Sequence, residues 1–161
     1  GVLIYGAPPL AFPPDMARAF LPNPAMGAAF NPQLSEEEMQ GFVDAFFIPG
    51  YEAGDSRFMD DIRRADGRAR AAIAAGIRPG GYRDEVAVVA NLRVPLAILH
   101  GAQEQLINGA YFESVVMPTL WRGAVQVIAD AGHAPHWETP QVFNQLLADF
   151  VADCSTEAAR G

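Results

Sequence analysis

Three short, nearly all-apolar runs, at residues 2–5, 94–101 and 124–128, are set along the chain with helix-patterned segments between them. Strands that are apolar throughout must be covered on both faces. The order therefore predicts the α/β class, with three parallel strands and flanking helices. Gly6-Ala7-Pro8-Pro9 stops the first strand, because proline cannot donate to a ladder and glycine permits the turn. The second run breaks at Gly101 and presents a carboxylate, Glu104, three residues later. The third leads into Asp130-Ala131-Gly132-His133, a tight turn that can hold an imidazole at the rim of a parallel sheet.

Residues 11–93 read as helical and irregular. Pro13-Pro14, Asn23-Pro24 and Asn31-Pro32 punctuate the first part, and Ser35-Glu36-Glu37-Glu38 then forms a capping box with acids in the first turn, where the helix dipole favours them. Met39, Phe42, Val43, Phe46 and Phe47 follow on one face. A second helix is predicted over 56–75, with Phe58, Met59, Ile62, Ala65, Ala69 and Ile73 inward and a solvated Arg/Asp face outward. A shorter helix is predicted over 84–90. Asn108 can cap a helix over 109–117, and Thr139 as N-cap with Pro140 after it starts a last helix. Phe143, Leu146, Leu147, Phe150 and Val151 form its apolar stripe, and 155–161 reads as a frayed polar tail.

The formal charge of −8 argues against nucleic acid and anionic membrane as partners. Every basic residue is arginine, which fits a coding-composition bias better than a binding role. The lone Cys154 allows no disulfide framework, and nothing near it in sequence would lower its thiol pKa. With no bilayer-length apolar stretch and no signal-like leader, the expectation is a soluble, cytoplasmic chain. A strand pattern that opens at Gly1 reads as a truncation or processing point.

Gly101-x-x-Glu104 followed, after a helix and a strand, by Gly132-His133 places an acid before a histidine on two sheet-edge loops. With the strand order, this resembles the C-terminal half of the α/β-hydrolase superfamily. The resemblance implies a partial α/β-hydrolase fold, with core segments 1–10 and 94–154, a helical cap insertion over 11–93, and the tail 155–161. It implies that His133 is the general base and Glu104 the acid that orients it. The family usually carries aspartate at the acid position, so the longer glutamate would need a small retreat of backbone. Gly-x-Ser-x-Gly, the turn that bears the family's nucleophile, occurs nowhere in the 161 residues, and Ser35, Ser56, Ser114 and Ser155 lie in capping or helical contexts.

The resemblance implies a cofactor-free hydrolase of esters or related apolar acyl compounds, inactive without the nucleophile-bearing N-terminal half. The alternative is a non-catalytic fragment or degenerate paralogue that serves as a binding module. Dehalogenation, epoxide opening and acyl transfer remain open on the same fold. Phe12, Phe46, Phe47 and Trp137 are the candidate substrate-lining residues, against a plain packing role that they share with Met16, Phe20, Met26, Phe30 and Phe42. His133 and Glu104 have their own rival readings, a structural turn histidine and an exposed loop acid with Asp130 as substitute. His100 reads as a packed core histidine, and His133-Ala134-Pro135-His136 lacks metal-ligand spacing, so no metal and no cofactor are expected.

Overall fold

The computed structural model describes residues 1–51 and 57–158. Strands β1 (Val2–Tyr5), β2 (Leu96–Gly101) and β3 (Gln126–Ile128) form one parallel sheet in the order β1-β2-β3. Val2 pairs with Leu96 and Tyr5 with Leu99, and Gly101 pairs with Ile128. The third strand begins at Gln126 rather than 124, because Ala124 closes the 3-10 turn Trp121–Gly123 through its N–H to Trp121 O.

Side chains alternate across a strand, and here each alternate set has its own cover. Leu3, Ala97, Leu99 and Ile128 face the last helix, α7 (Pro140–Ala158), where Phe143, Leu146 and Phe150 meet them together with Trp121. Ile4, Leu96 and Ile98 face the other way, onto Val86 and Val89 of a short helix, Glu85–Ala90, and onto Tyr111 and Phe112 of the 3-10 segment Gly109–Ser114. Central β2 is buried along almost its whole length, as a strand covered on both faces must be.

Between β1 and β2 run α1 (Met16–Ala19), a 3-10 segment Pro24–Ala29, α2 (Glu36–Asp44), α3 (Arg57–Arg64), α4 (Gly67–Gly76) and α5, the Glu85–Ala90 helix. The capping box is present: Ser35 Oγ accepts from Glu38 N–H, and Glu38 reaches back to Ser35 N–H at 2.7 Å. The helix expected over 56–75 is two helices, with Ser56 outside the described residues. Asp66 breaks it by capping α4, its carboxylate accepting from Arg68 N–H at 2.9 Å. Gly67 packs so closely on Pro32 O that a side chain there would collide with it, and Arg70 Nε donates to Asn31 O. The stripe therefore ends early: Phe58, Met59 and Ile62 pack with Val43, Phe47 and Ala134, whereas Ala65, Ala69 and Ile73 are exposed.

Other boundaries also differ from expectation. The segment after Asn108 is a 3-10 turn ending at Ser114, not a helix to 117. A short helix, α6 (Pro135–Glu138), precedes α7, and the Thr139 hydroxyl donates back to Pro135 O instead of capping α7. Leu147 and Val151 are exposed, because the face that meets the sheet is the one that carries Phe143, Leu146, Phe150 and Cys154. Beyond 154 the chain stays helical to Ala158: the Ser155 and Thr156 hydroxyls donate to Val151 O and Ala152 O, within the helix. Among the described residues, no helix is long and apolar enough to cross a membrane.

The α7 contact should dominate the stability of this layer. Phe150→Ala is expected to lower unfolding free energy by about 3–5 kcal/mol, whereas Val151→Ala, half exposed, should change it by under about 0.5 kcal/mol. Chemical denaturation of the two variants checks this, and equal losses would misplace the buried face.

Candidate active site

Because all three strands run in parallel, their C-terminal ends share one edge of the sheet, the edge where α/β folds bind ligands. Gly6 follows β1, Glu104 follows β2 and His133 follows β3. The last two loops are joined through their backbones. Ala102 N–H donates to Ile128 O at 2.8 Å and Gln103 N–H to Ala131 O at 3.0 Å. Gly101 lies so close to the Gly132 and Ala131 carbonyls that a Cβ there would overlap both. Only a residue without a side chain lets the loops approach in this way.

The approach brings His133 Nδ1 to 2.9 Å from Glu104 Oε2 and 3.2 Å from Oε1. Glu104 Oε1 also accepts Leu106 N–H at 2.8 Å, which holds the carboxylate in place. Both side chains are shielded, with 14% of His133 and 4% of Glu104 exposed. A carboxylate only accepts hydrogen bonds, so Nδ1 carries the proton and Nε2 is left as the basic nitrogen. Among the described residues Nε2 makes no hydrogen bond, and it faces Gly6, where a Cβ would stand 3.2 Å from it. Gly6 has φ +64°, a left-handed conformation that suits glycine. The arrangement can take a proton at Nε2 and stabilise the resulting charge at Nδ1.

A cavity of about 520 Å³ lies beside this pair, lined chiefly by Phe42, Phe46, Phe47, Phe58, Ile62 and Trp137. Phe46 also sets its ring edge-on to His133, with centroids 4.8 Å apart. Three of the four candidate lining residues, Phe46, Phe47 and Trp137, are thus brought to one cavity. Phe12 is not: it packs edge-on against Tyr82 near the start of α5. Asp130 is exposed, and His133 pairs with Glu104 instead. His136 packs at a tilt against Tyr5 and edge-on against Phe143 rather than joining His133 in a cluster, and His100 packs against Phe112. Among the described residues, no three of His, Cys, Asp and Glu are gathered to hold a metal ion.

Three residues of the site carry no motif that would single them out. Gly6 leaves room beside Nε2. Gln105 donates from Nε2 to Phe47 O at 2.6 Å, tying the acid loop to the end of α2. Glu138 binds two backbone amides, of Gly132 and Ile48. Each acts through contacts across the chain, and local sequence offers no sign of them.

Burial holds the His100 imidazole below its ordinary pKa of 6.5, with His133 adding to the effect and Glu104 opposing it. Burial also lowers His136, against Glu138. A depressed imidazole binds fewer protons in the folded chain than in the unfolded one. Its stabilising contribution is therefore complete above about pH 6.5 and is lost as pH falls through the window below it. Melting temperature measured against pH should fall on that acidic side, and His100→Gln should flatten part of the fall. An unchanged profile in that variant would show that His100 does not contribute. Gly6→Ala, strained by its φ and crowding Nε2, should lower stability by about 1–3 kcal/mol in the same assay.

No family model matches the chain, and no curated protein matches it by sequence. Solved structures do. N-acyl homoserine lactonase AidH, solved with N-hexanoyl homoserine lactone, is 30% identical with a TM-score of 0.86, over 96% of this chain and 55% of that one. An aryl esterase from Burkholderia cenocepacia, so described provisionally, gives 20% identity and a TM-score of 0.70 over 87% and 51%. A meta-cleavage product hydrolase from Pseudomonas fluorescens gives 17% and 0.64 over 94% and 55%. The last two likenesses are likenesses of fold. The chain spans about half the length of the structures it matches. Its parallel sheet, the helices on both faces and the loops at its C-terminal edge are those of the α/β-hydrolase fold that these structures share, matched over about half of their length.

Proposed function

We propose that this chain is the proton-handling part of a cofactor-free hydrolase acting on apolar esters or lactones. The observation that carries the reading is the shielded His133–Glu104 pair, with Nδ1 held by the carboxylate and Nε2 turned to the loop after β1. In this reading His133 accepts the proton of a serine hydroxyl as that oxygen attacks the acyl carbon, then returns it to the leaving alkoxide. Glu104 fixes the tautomer and balances the imidazolium charge. The serine comes from outside these 161 residues, which contain no Gly-x-Ser-x-Gly.

The helical segment between β1 and β2 acts as a cap. Phe46, Phe47 and Trp137 line an acyl pocket beside the histidine, and its largely apolar walls, with Arg70 and His136 among them, supply binding chiefly by burial of apolar surface. Likeness to a lactonase that binds an N-acyl homoserine lactone supports an acyl chain as the group held there. The same cavity would serve a binding module that does no chemistry, and turnover separates the two readings.

Alone, the 161 residues should hydrolyse acyl esters and N-acyl homoserine lactones no faster than their His133→Ala variant, because most of the rate acceleration in acyl transfer comes from the nucleophile and the oxyanion donors. Joined to a segment that carries the serine turn, the chain should turn these substrates over. Glu104→Gln should then lower kcat by about 10⁴-fold with little change in KM, since it disturbs tautomer and charge rather than binding. Near-normal kcat in that variant would refute the assignment.

A further inference from the structure

Glu138 takes no part in the His133–Glu104 pair, yet its carboxylate accepts two backbone amides beside it. Oε2 accepts Gly132 N–H at 2.7 Å, and Oε1 accepts Ile48 N–H at 2.6 Å. Gly132 immediately precedes His133. Ile48 immediately follows Phe46-Phe47, the residues that line the cavity, and Phe46 also touches the imidazole. On the far side of His133, Ala134 N–H donates to Phe46 O at 2.9 Å. A Cβ at Gly132 would stand 2.9 Å from Phe47 C and 3.0 Å from Ile48 N, so the two backbones are in direct contact.

We infer that Glu138 is a positioning residue for His133: one carboxylate clamps the histidine loop to the backbone at 46–48, so the imidazole keeps its orientation only while the helical segment is seated. Two converging N–H donors call for a group that accepts at both ends, which a carboxylate does and a carboxamide cannot. With Gln at 138, an NH₂ would face an N–H and one partly buried amide would lose its partner. That His133 is a base rests on the function proposed above; the clamp itself rests on the backbone contacts.

The test uses the whole chain labelled with ¹⁵N. In the wild type, the Gly132 and Ile48 amides should exchange with solvent at similar, slow rates, and His133 should show the nitrogen shifts of a single tautomer protonated at Nδ1. In Glu138→Gln both amides should exchange at least about tenfold faster, and the His133 shifts should move toward a mixture of tautomers. Leu146→Ala, which loosens the α7 layer instead, should leave those imidazole shifts unchanged, separating positioning from general stability. Glu104→Gln should change the imidazole but leave both amides slow. A folded Glu138→Gln with the wild-type imidazole spectrum overturns the inference. Should that variant not fold, unrelated exchange rates for Gly132 and Ile48 in the wild type overturn it equally, and matched rates support it. None of these signals needs turnover, so a chain that fails every hydrolysis assay but passes here refutes the proposed chemistry and leaves the clamp standing.

Discussion

The contact between Gly101 and the carbonyls of Ala131 and Gly132 is the constraint on which the rest of the site hangs. Two loops that leave neighbouring strands diverge unless something draws them together, and here the drawing is done by backbone alone. Ala102 and Gln103 donate to Ile128 and Ala131, and the absence of a side chain at 101 lets the loops close to contact, while that at 132 lets the histidine loop lie against the backbone of Phe47 and Ile48. Glu104 and His133 then stand close enough for the carboxylate to meet the imidazole at 2.9 Å. The carboxylate is held locally as well, since Glu104 N–H closes a turn onto Gly101 O while Leu106 N–H steers one of its oxygens.

Two glutamates within this small region do different work because their surroundings differ. Glu104 meets an imidazole and one amide, and is nearly sealed from solvent. Glu138 meets two amides from separate parts of the chain, and it joins backbones where Glu104 orients a side chain. A salt bridge on the outer helices, Arg63 with Glu36 at 2.6 Å, is as short as the tighter of the two Glu138 bonds, yet both its partners are exposed and such pairs contribute little. Burial, and not separation alone, decides which carboxylates shape the site.

The helical segment between β1 and β2 packs on the sheet through Ala19, Ala45 and Val89, and it is also fastened to the sheet's edge by hydrogen bonds at several points. Gln105 binds Phe47 O, Ala134 binds Phe46 O, and Asn108 binds Arg18 O. Directional bonds at the junction allow an apolar cavity to persist beside them, because the segment is not obliged to fill that space to stay in place. Elsewhere the covering is incomplete: Val2 and Tyr5 on β1 and Val127 on β3 are more than one-third exposed, so the sheet retains apolar surface at both margins.

Much of this was legible along the chain, wherever local chemistry is enough to dictate the outcome. The capping box at Ser35, the three strands and the last helix with Phe143 and Phe150 inward each rest on periodicity or on a cap, and the pairing of Glu104 with His133 is what the family resemblance implied for two loops after neighbouring strands. The break at Asp66 was less so, since its carboxylate can stay helical or cap the following turn, and packing of Gly67 on Pro32 selects the cap. The placing of Phe12 away from the cavity, the exposure of Ile73, and the Glu138 and Gly6 contacts waited on the folded chain. They join residues far apart in sequence, through hydrogen bonds and steric limits that exist only after the loops have closed on one another.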